Sequence, residues 1–189
     1  MTTTTIPIKP ALRQAAERLA AVYPPPPIYP SSTEIDTRTR ETLKVADAAV
    51  DGVLMSCFDS TNRKHLGRSG IDWANLGPLS VLCRMQFIGQ LAAAYHVLHD
   101  ERYAEAARDY MADWMAFWTS DQNKGKIEAD GSLSLCCRNA VWASSLHLLI
   151  DSGAFDDIFV ARVVDFVDEQ FEWLRRHLST TINWRIFEA

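Results

Sequence analysis

No apolar run in this 189-residue chain reaches the roughly 18 residues that a membrane-spanning helix needs. The uncharged stretch from Met85 to Leu98 is 14 residues long and carries Gln86, Gln90 and His96. A membrane is therefore not an expected partner. Positive charge is also in short supply: 19 Lys and Arg stand against 24 Asp and Glu, a formal net charge of −5. A nucleic-acid binder needs a basic face for the phosphates, so no nucleic-acid partner is expected. An acidic small ligand held by a few placed arginines stays compatible with this balance.

A signal peptide is lacking too. Met1 to Thr5 is polar, and the next apolar segment carries Arg13, Glu17 and Arg18. As written, the chain is expected in the cytoplasm, or in the periplasm if a leader has been removed. The four cysteines form no CxxC pair, and no histidine lies at zinc-finger spacing. Cys57 and Cys83 are isolated, while Cys136 and Cys137 are adjacent. Free buried thiols are the simpler account, and a vicinal disulfide or redox switch is the alternative. There is no nucleophile elbow, no phosphate loop, no HExxH and no dinucleotide glycine run. No cofactor is expected. His96 and His99 have only Asp100 close by to complete a ligand set, so no metal site is expected either.

The chain does carry a 48% hydrophobic content, which excludes disorder over most of its length. Its pattern is helical almost throughout. Leu12, Ala15, Ala16, Leu19, Ala20 and Tyr23 form a first stripe, which the prolines at 24–27 and Pro30 terminate as a rigid connector. Residues 1–33 thus read as an N-terminal helix with a Pro-rich connector, and 34–189 as one domain. Ser31, Ser32 and Thr33 offer N-caps for a helix to about Val50, and Val53 to Phe58 reads as extended. Asp59 to Gly77 reads as a long polar loop around Ile71-Asp72-Trp73.

Four further helices are expected. The first, about Leu79 to His99, is apolar on nearly every side and should be buried on more than one face. The second, Glu101 to Thr119, carries the stripe Tyr103, Ala107, Tyr110, Met111, Trp114, Met115 and Trp118. A polar loop, Asp121 to Gly131, leads to the third, about Leu135 to Asp151. The fourth, about Asp156 to Leu178, should bury Val160, Val163, Val167, Phe171, Leu174 and Leu178. Moderate connections make these neighbours antiparallel pairs, with the apolar member of a pair inside and the amphipathic one facing water.

Polar residues set in apolar sequence are the candidate functional groups. Arg84 lies in Leu82-Cys83-Arg84-Met85, Arg138 follows Cys136-Cys137, and Asn183 precedes Trp184. A buried arginine needs a carboxylate, a carbonyl cluster or an anion. An internal ion pair, with Asp72 or an acidic helix residue as partner, is the simpler account of each arginine. Arg84 is expected to be structural and Arg138 to face a concave side. Of six tryptophans, Trp114 and Trp118 belong to a core stripe, whereas Trp73, Trp142 and Trp184 sit beside polar groups. Indoles so placed suit sugar stacking and helix packing equally.

The ordered set runs from Ala46-Asp47 and Phe58 through Ile71-Asp72-Trp73 to Arg84 with Leu91-Ala92 and Tyr95. It continues with His99-Asp100-Glu101-Arg102-Tyr103-Ala104, Asp113-Trp114, Arg138 with Trp142, and Asn183-Trp184. Over roughly Thr42 to Ala189 this resembles the N-terminal region of the heparinase II/III-like polysaccharide lyases, which include oligo-alginate and heparin-sulfate lyases. The resemblance implies an all-α fold, an array of antiparallel helical hairpins forming part of an incomplete α/α toroid. It implies β-elimination at a uronic acid, hence an acidic uronate glycan as partner. Asn183 then matches an asparagine that neutralises the uronate carboxylate, and is the one catalytic candidate. The next position is a catalytic histidine in some branches and is Trp184 here. Arg138, Trp142, Trp184 and Trp73 are the substrate-binding candidates.

The family's catalytic tyrosine falls beyond Ala189. The chain reads as truncated, and these 189 residues are expected to be inactive alone. A helical module that binds a glycan or a protein without chemistry is the alternative. Two-fold self-association is expected through the C-terminal hairpin and the apolar tail at Ile182, Ile186 and Phe187.

Overall fold

The computed structural model describes residues 8–14, 33–55, 63–76, 82–120 and 124–176. Its elements, in order, are α1 (Thr33–Val50), β1 (Val53–Met55), β2 (Arg63–His65), a 3-10 turn (Trp73–Asn75), α2 (Phe87–Leu98), α3 (Glu101–Thr119), α4 (Lys124–Leu149) and α5 (Asp157–Arg176). Residues 8–14 form a further helical segment. The only sheet among the described residues is the antiparallel pair β1–β2, which aligns Val53 with His65 and Met55 with Arg63.

The architecture is an all-α array of antiparallel hairpins. α2 lies in the middle, against α1, α3 and α4. That position follows from its sequence: Phe87, Ile88, Leu91, Ala92, Ala94 and Tyr95 are all buried. α3 is its amphipathic partner. The whole expected stripe from Tyr103 to Trp118 is buried, and Glu105 and Arg108 face water. Asp100 caps α3 by accepting from the Arg102 amide at 3.0 Å. Hydrogen bonding to Arg102 also holds the Asp100 carboxyl below its ordinary range.

Four expectations need correction. The helix expected from Leu79 starts only at Phe87. Met85, fully buried, takes a left-handed φ of 51° that interrupts the α-helical ladder, and its amide bonds Leu82 O at 2.8 Å instead. Burial of Leu82, Cys83 and Met85 offsets a backbone strain of order 1–3 kcal/mol. Second, the stretch read as a polar loop to Gly131 belongs to α4 from Lys124 onward. Its glycines lower helix propensity by about 1 kcal/mol each without forbidding the helix. Third, Phe171 is not buried but 52% exposed, and Gln170 occupies the inward position. Phe159, Val163, Phe166, Gln170 and Leu174 follow one face, and Phe171 lies about 100° round from Gln170. Fourth, the long loop is less irregular than expected, since it holds β2 and the 3-10 turn. Leu178, Cys57, the proline connector and the tail lie outside the described residues.

Two long-range ties fasten the frame. Tyr110 donates to Ala49 O at 2.8 Å, and Tyr103 donates to Asp47 Oδ1 at 2.7 Å. Donation to Asp47, reinforced by burial, pushes the Tyr103 hydroxyl from 10.0 up to about 12. The neutral phenol is thus the form the fold favours. Its contribution is complete below the ordinary tyrosine value and is lost as pH rises through about 12. A titration followed by phenolate absorbance is expected to show Tyr103 ionising late together with the more deeply buried Tyr110. Asp47→Ala should bring Tyr103 alone back toward the ordinary value, and an unchanged titration in that variant would contradict the tie.

Candidate functional site

The site is built on α3. The Asp113 carboxylate accepts from three donors 40 to 43 residues upstream: the Gly70 amide, the Ile71 amide at 3.2 Å and the Trp73 indole at 2.8 Å. Arg68 adds an ion pair to Asp109 at 3.4 Å, one turn earlier on α3. The loop read as unstructured is therefore held on α3 as a strap. Its outward side carries Asp72 and Asn75, joined by an Asn75 Nδ2 to Asp72 Oδ2 bond of 2.8 Å. Trp73 points inward, meeting Trp114 edge to face at 5.3 Å.

Trp114 has Arg138 over its ring. The guanidinium of Arg138 lies 4.1 Å from the Trp114 centroid and 5.5 Å from that of Trp118. Arg138 Nη1 donates to Cys83 O at 2.7 Å. The side chain is 0% exposed. A desolvated cation over indole is stabilised by about 2 kcal/mol, and a carbonyl acceptor adds a charge-assisted bond. That combination offsets part of the cost of burying the charge, while Asp72 lies on the exposed side of the strap, bonded to Asn75. The left-handed Met85 turns the chain beside the Cys83 carbonyl that Arg138 uses. Arg84, on the same turn, is half-buried.

One helical turn beyond Arg138, Trp142 is fully buried and packs on Phe166 of α5 at 5.5 Å. Phe166 in turn meets Trp118 at 6.0 Å. The structure thus joins Trp73, Arg138 and Trp142 through Trp114, Trp118 and Phe166 into one aromatic cluster around a cation. All three lie in the interior, and Arg138 is enclosed by α3 and the Cys83 turn. Asn183 and Trp184 lie outside the described residues. Cys83, Cys136 and Cys137 are reduced cysteines, and the Cys83 thiol donates to Trp73 O at 3.7 Å. Among the described residues no group of three or more His, Cys, Asp or Glu is placed to hold a metal ion, and no helix is long and apolar enough to cross a membrane. His99, at φ 52°, is the left-handed cap of α2, and its ring packs against Tyr95.

Sequence reasoning assigned no role to Asp113, Asn139 or Gln170. Asp113 gives no local signal, because its three partners are remote in sequence. Gln170 was readable as a polar residue at the spacing of Val163, Phe166 and Leu174. Replacing Asp113 with alanine is expected to lose about 2–3 kcal/mol by stranding three donors. Hydrogen exchange at the Gly70 and Ile71 amides should rise with it. Unchanged protection there would mean the strap is held elsewhere.

These features define an all-α hairpin array with a cation–aromatic core under a strapped loop. Residues 10–189 match the family model described as Heparinase II/III N-terminus, and the chain belongs to that family. Among solved structures, the heparan sulfate lyase HepC from Pedobacter heparinus superposes with a TM-score of 0.72 at 20% identity, over 96% of this chain and 29% of its own. The heparinase III BT4657 gene product, with methylated lysines, gives a TM-score of 0.68 at 19% identity, over 99% of this chain and 34% of its own. The chain therefore spans about a third of the length of these solved relatives. At that identity the likeness carries the fold. No curated protein sequence matches the chain.

Proposed function

We propose that this chain supplies one wall of the substrate cleft in a lyase that cleaves uronic-acid-containing glycans by β-elimination. The observation that carries the reading is the family match over residues 10–189. Elimination requires the uronate carboxylate to be neutralised, so that the proton on the adjacent carbon becomes acidic enough for a base to remove. Asn183 is assigned to that neutralisation, with Trp184 beside it. Arg138, Trp142 and Trp73 act from behind the wall, where their burial sets the shape of the face that meets the sugar. Asp72 and Asn75, exposed on the strap and bonded to each other, are assigned to contact with glycan hydroxyls. Heparan-type chains are the first glycan class to test, because both solved relatives are named for heparan or heparin cleavage. Alginate is the second.

Titration of the chain with heparan-type and alginate oligosaccharides, followed by tryptophan fluorescence or calorimetry, tests the reading. Uronate oligosaccharides are expected to bind, more weakly as salt rises, and to bind several-fold less well to Asn183→Ala. Equal binding of size-matched neutral glucans, or no uronate binding, would overturn it.

A further inference from the structure

We propose that the α4–α5 interface holds a buried water, bound between the side-chain amides of Asn139 and Gln170. Both residues are 0% exposed. All four of their amide atoms, Asn139 Oδ1 and Nδ2 and Gln170 Oε1 and Nε2, are without a hydrogen-bond partner among the described residues. Four unsatisfied buried polar atoms would together cost an amount comparable to the stability of a whole domain.

Helical register is what would set the two amides at one level of the α4–α5 packing. Trp142 on α4 meets Phe166 on α5 at 5.5 Å, and the helices run antiparallel. Moving three residues back from Trp142 and four forward from Phe166 keeps to the inward face of each helix, about one turn along. That step lands on Asn139 and Gln170 at a common level, between the Trp142–Phe166 layer and the layer of Leu135 and Leu174. Leu135 and Leu174 are themselves buried, so the site is closed above and below by apolar side chains.

The chemistry of the pair selects the occupant. Each amide offers donors and an acceptor, and the two together carry no net charge. Water, with two donors and two acceptor positions, matches such a set, and buried waters are found where two to four polar partners converge. An anion would need the guanidinium of Arg138. That group faces the other way, over the rings of Trp114 and Trp118 on α3. Arg138 and Asn139 are adjacent on α4, about 100° apart. The water therefore fixes the rotation of α4 that aims Arg138 at Trp114, and so ties the last hairpin to the cation–aromatic cluster.

The direct test is water–protein cross-relaxation in the isotopically labelled chain. The two side-chain amide groups are assigned by their loss in Asn139→Leu and Gln170→Leu. Cross-peaks to water with the sign of a long-lived, protein-bound molecule are expected from both groups. The stability arm is a mutant cycle read as thermal midpoint. Each single leucine variant leaves one amide and the water under-satisfied, and is expected to lower the midpoint by about 4–8 °C. The double variant should recover most of that loss, because the site is then dry and apolar. Absence of the water cross-peaks, a side chain of the protein filling the site in a high-resolution crystal structure, or a double variant as unstable as the sum of the singles would each overturn the proposal.

Discussion

Replacing Arg138 with alanine is expected to destabilise the fold by about 3–5 kcal/mol. The estimate combines a large-to-small change in a closed core with a stranded Cys83 carbonyl. Loss of the cation from the face of Trp114, 4.1 Å away, adds to both. Arg138→Met keeps most of the volume and removes a buried charge, so its cost should be smaller, about 1–2 kcal/mol. Arg138→Lys retains charge but lacks the planar fork that reaches the carbonyl while stacking on the ring, and should recover less than half of the alanine loss. Urea unfolding of the three variants checks the order. An alanine cost under about 1 kcal/mol would show that Arg138 does not hold this core and would return it to direct anion contact as its main role.

Gly52→Ala is the second large effect, at about 3 kcal/mol or more. Gly52 has a φ of +77°, a left-handed conformation that is costly for any residue with a Cβ. Space is also lacking, since a Cβ built there would sit 2.9 Å from Gly67 Cα, a backbone atom that cannot swing away. The same contact holds the β1–β2 pair closed, with the Leu66 and Gly67 amides on Gly52 O at 2.9 and 3.1 Å. Thermal unfolding should therefore show a large drop for Gly52→Ala. Gly153→Ala, where nothing lies within 4 Å, should change stability by no more than about 0.5 kcal/mol. Equal effects of the two would remove the case for a tight crossing at Gly52.

Much of this fold was legible because α-helical burial is a local, periodic signal. α3 occurs at Glu101–Thr119 as its stripe implies, capped by the Asp100 that precedes it. α1 begins at Thr33, where the sequence reading starts a helix. The near-uniform apolarity of α2 marks it as the helix enclosed by others. The family resemblance rested on an ordered set of residues spread over the chain, and the match over residues 10–189 agrees with it. The candidate site was legible only in part. Arg138, Trp142 and Trp73 do share one cluster, but their burial depends on α3 and α5 closing over them.

The sequence by itself therefore determined the helical class, the order of the hairpins and the family. The class and the order are written in spacing, capping and composition within a few turns of chain, and the family in an ordered set of residues along it. Only the tertiary structure decided that Met85 breaks the helix before α2, and that Gln170 rather than Phe171 faces inward. It likewise decided that Arg138 reaches Cys83 O and lies over two indoles. The physical reason is common to all three. Each outcome is a competition settled by groups 40 or more residues away or on another helix, such as the 55-residue separation of Arg138 from Cys83. A period of 3.6 residues constrains which side chains share a face, and it is silent about what that face will meet.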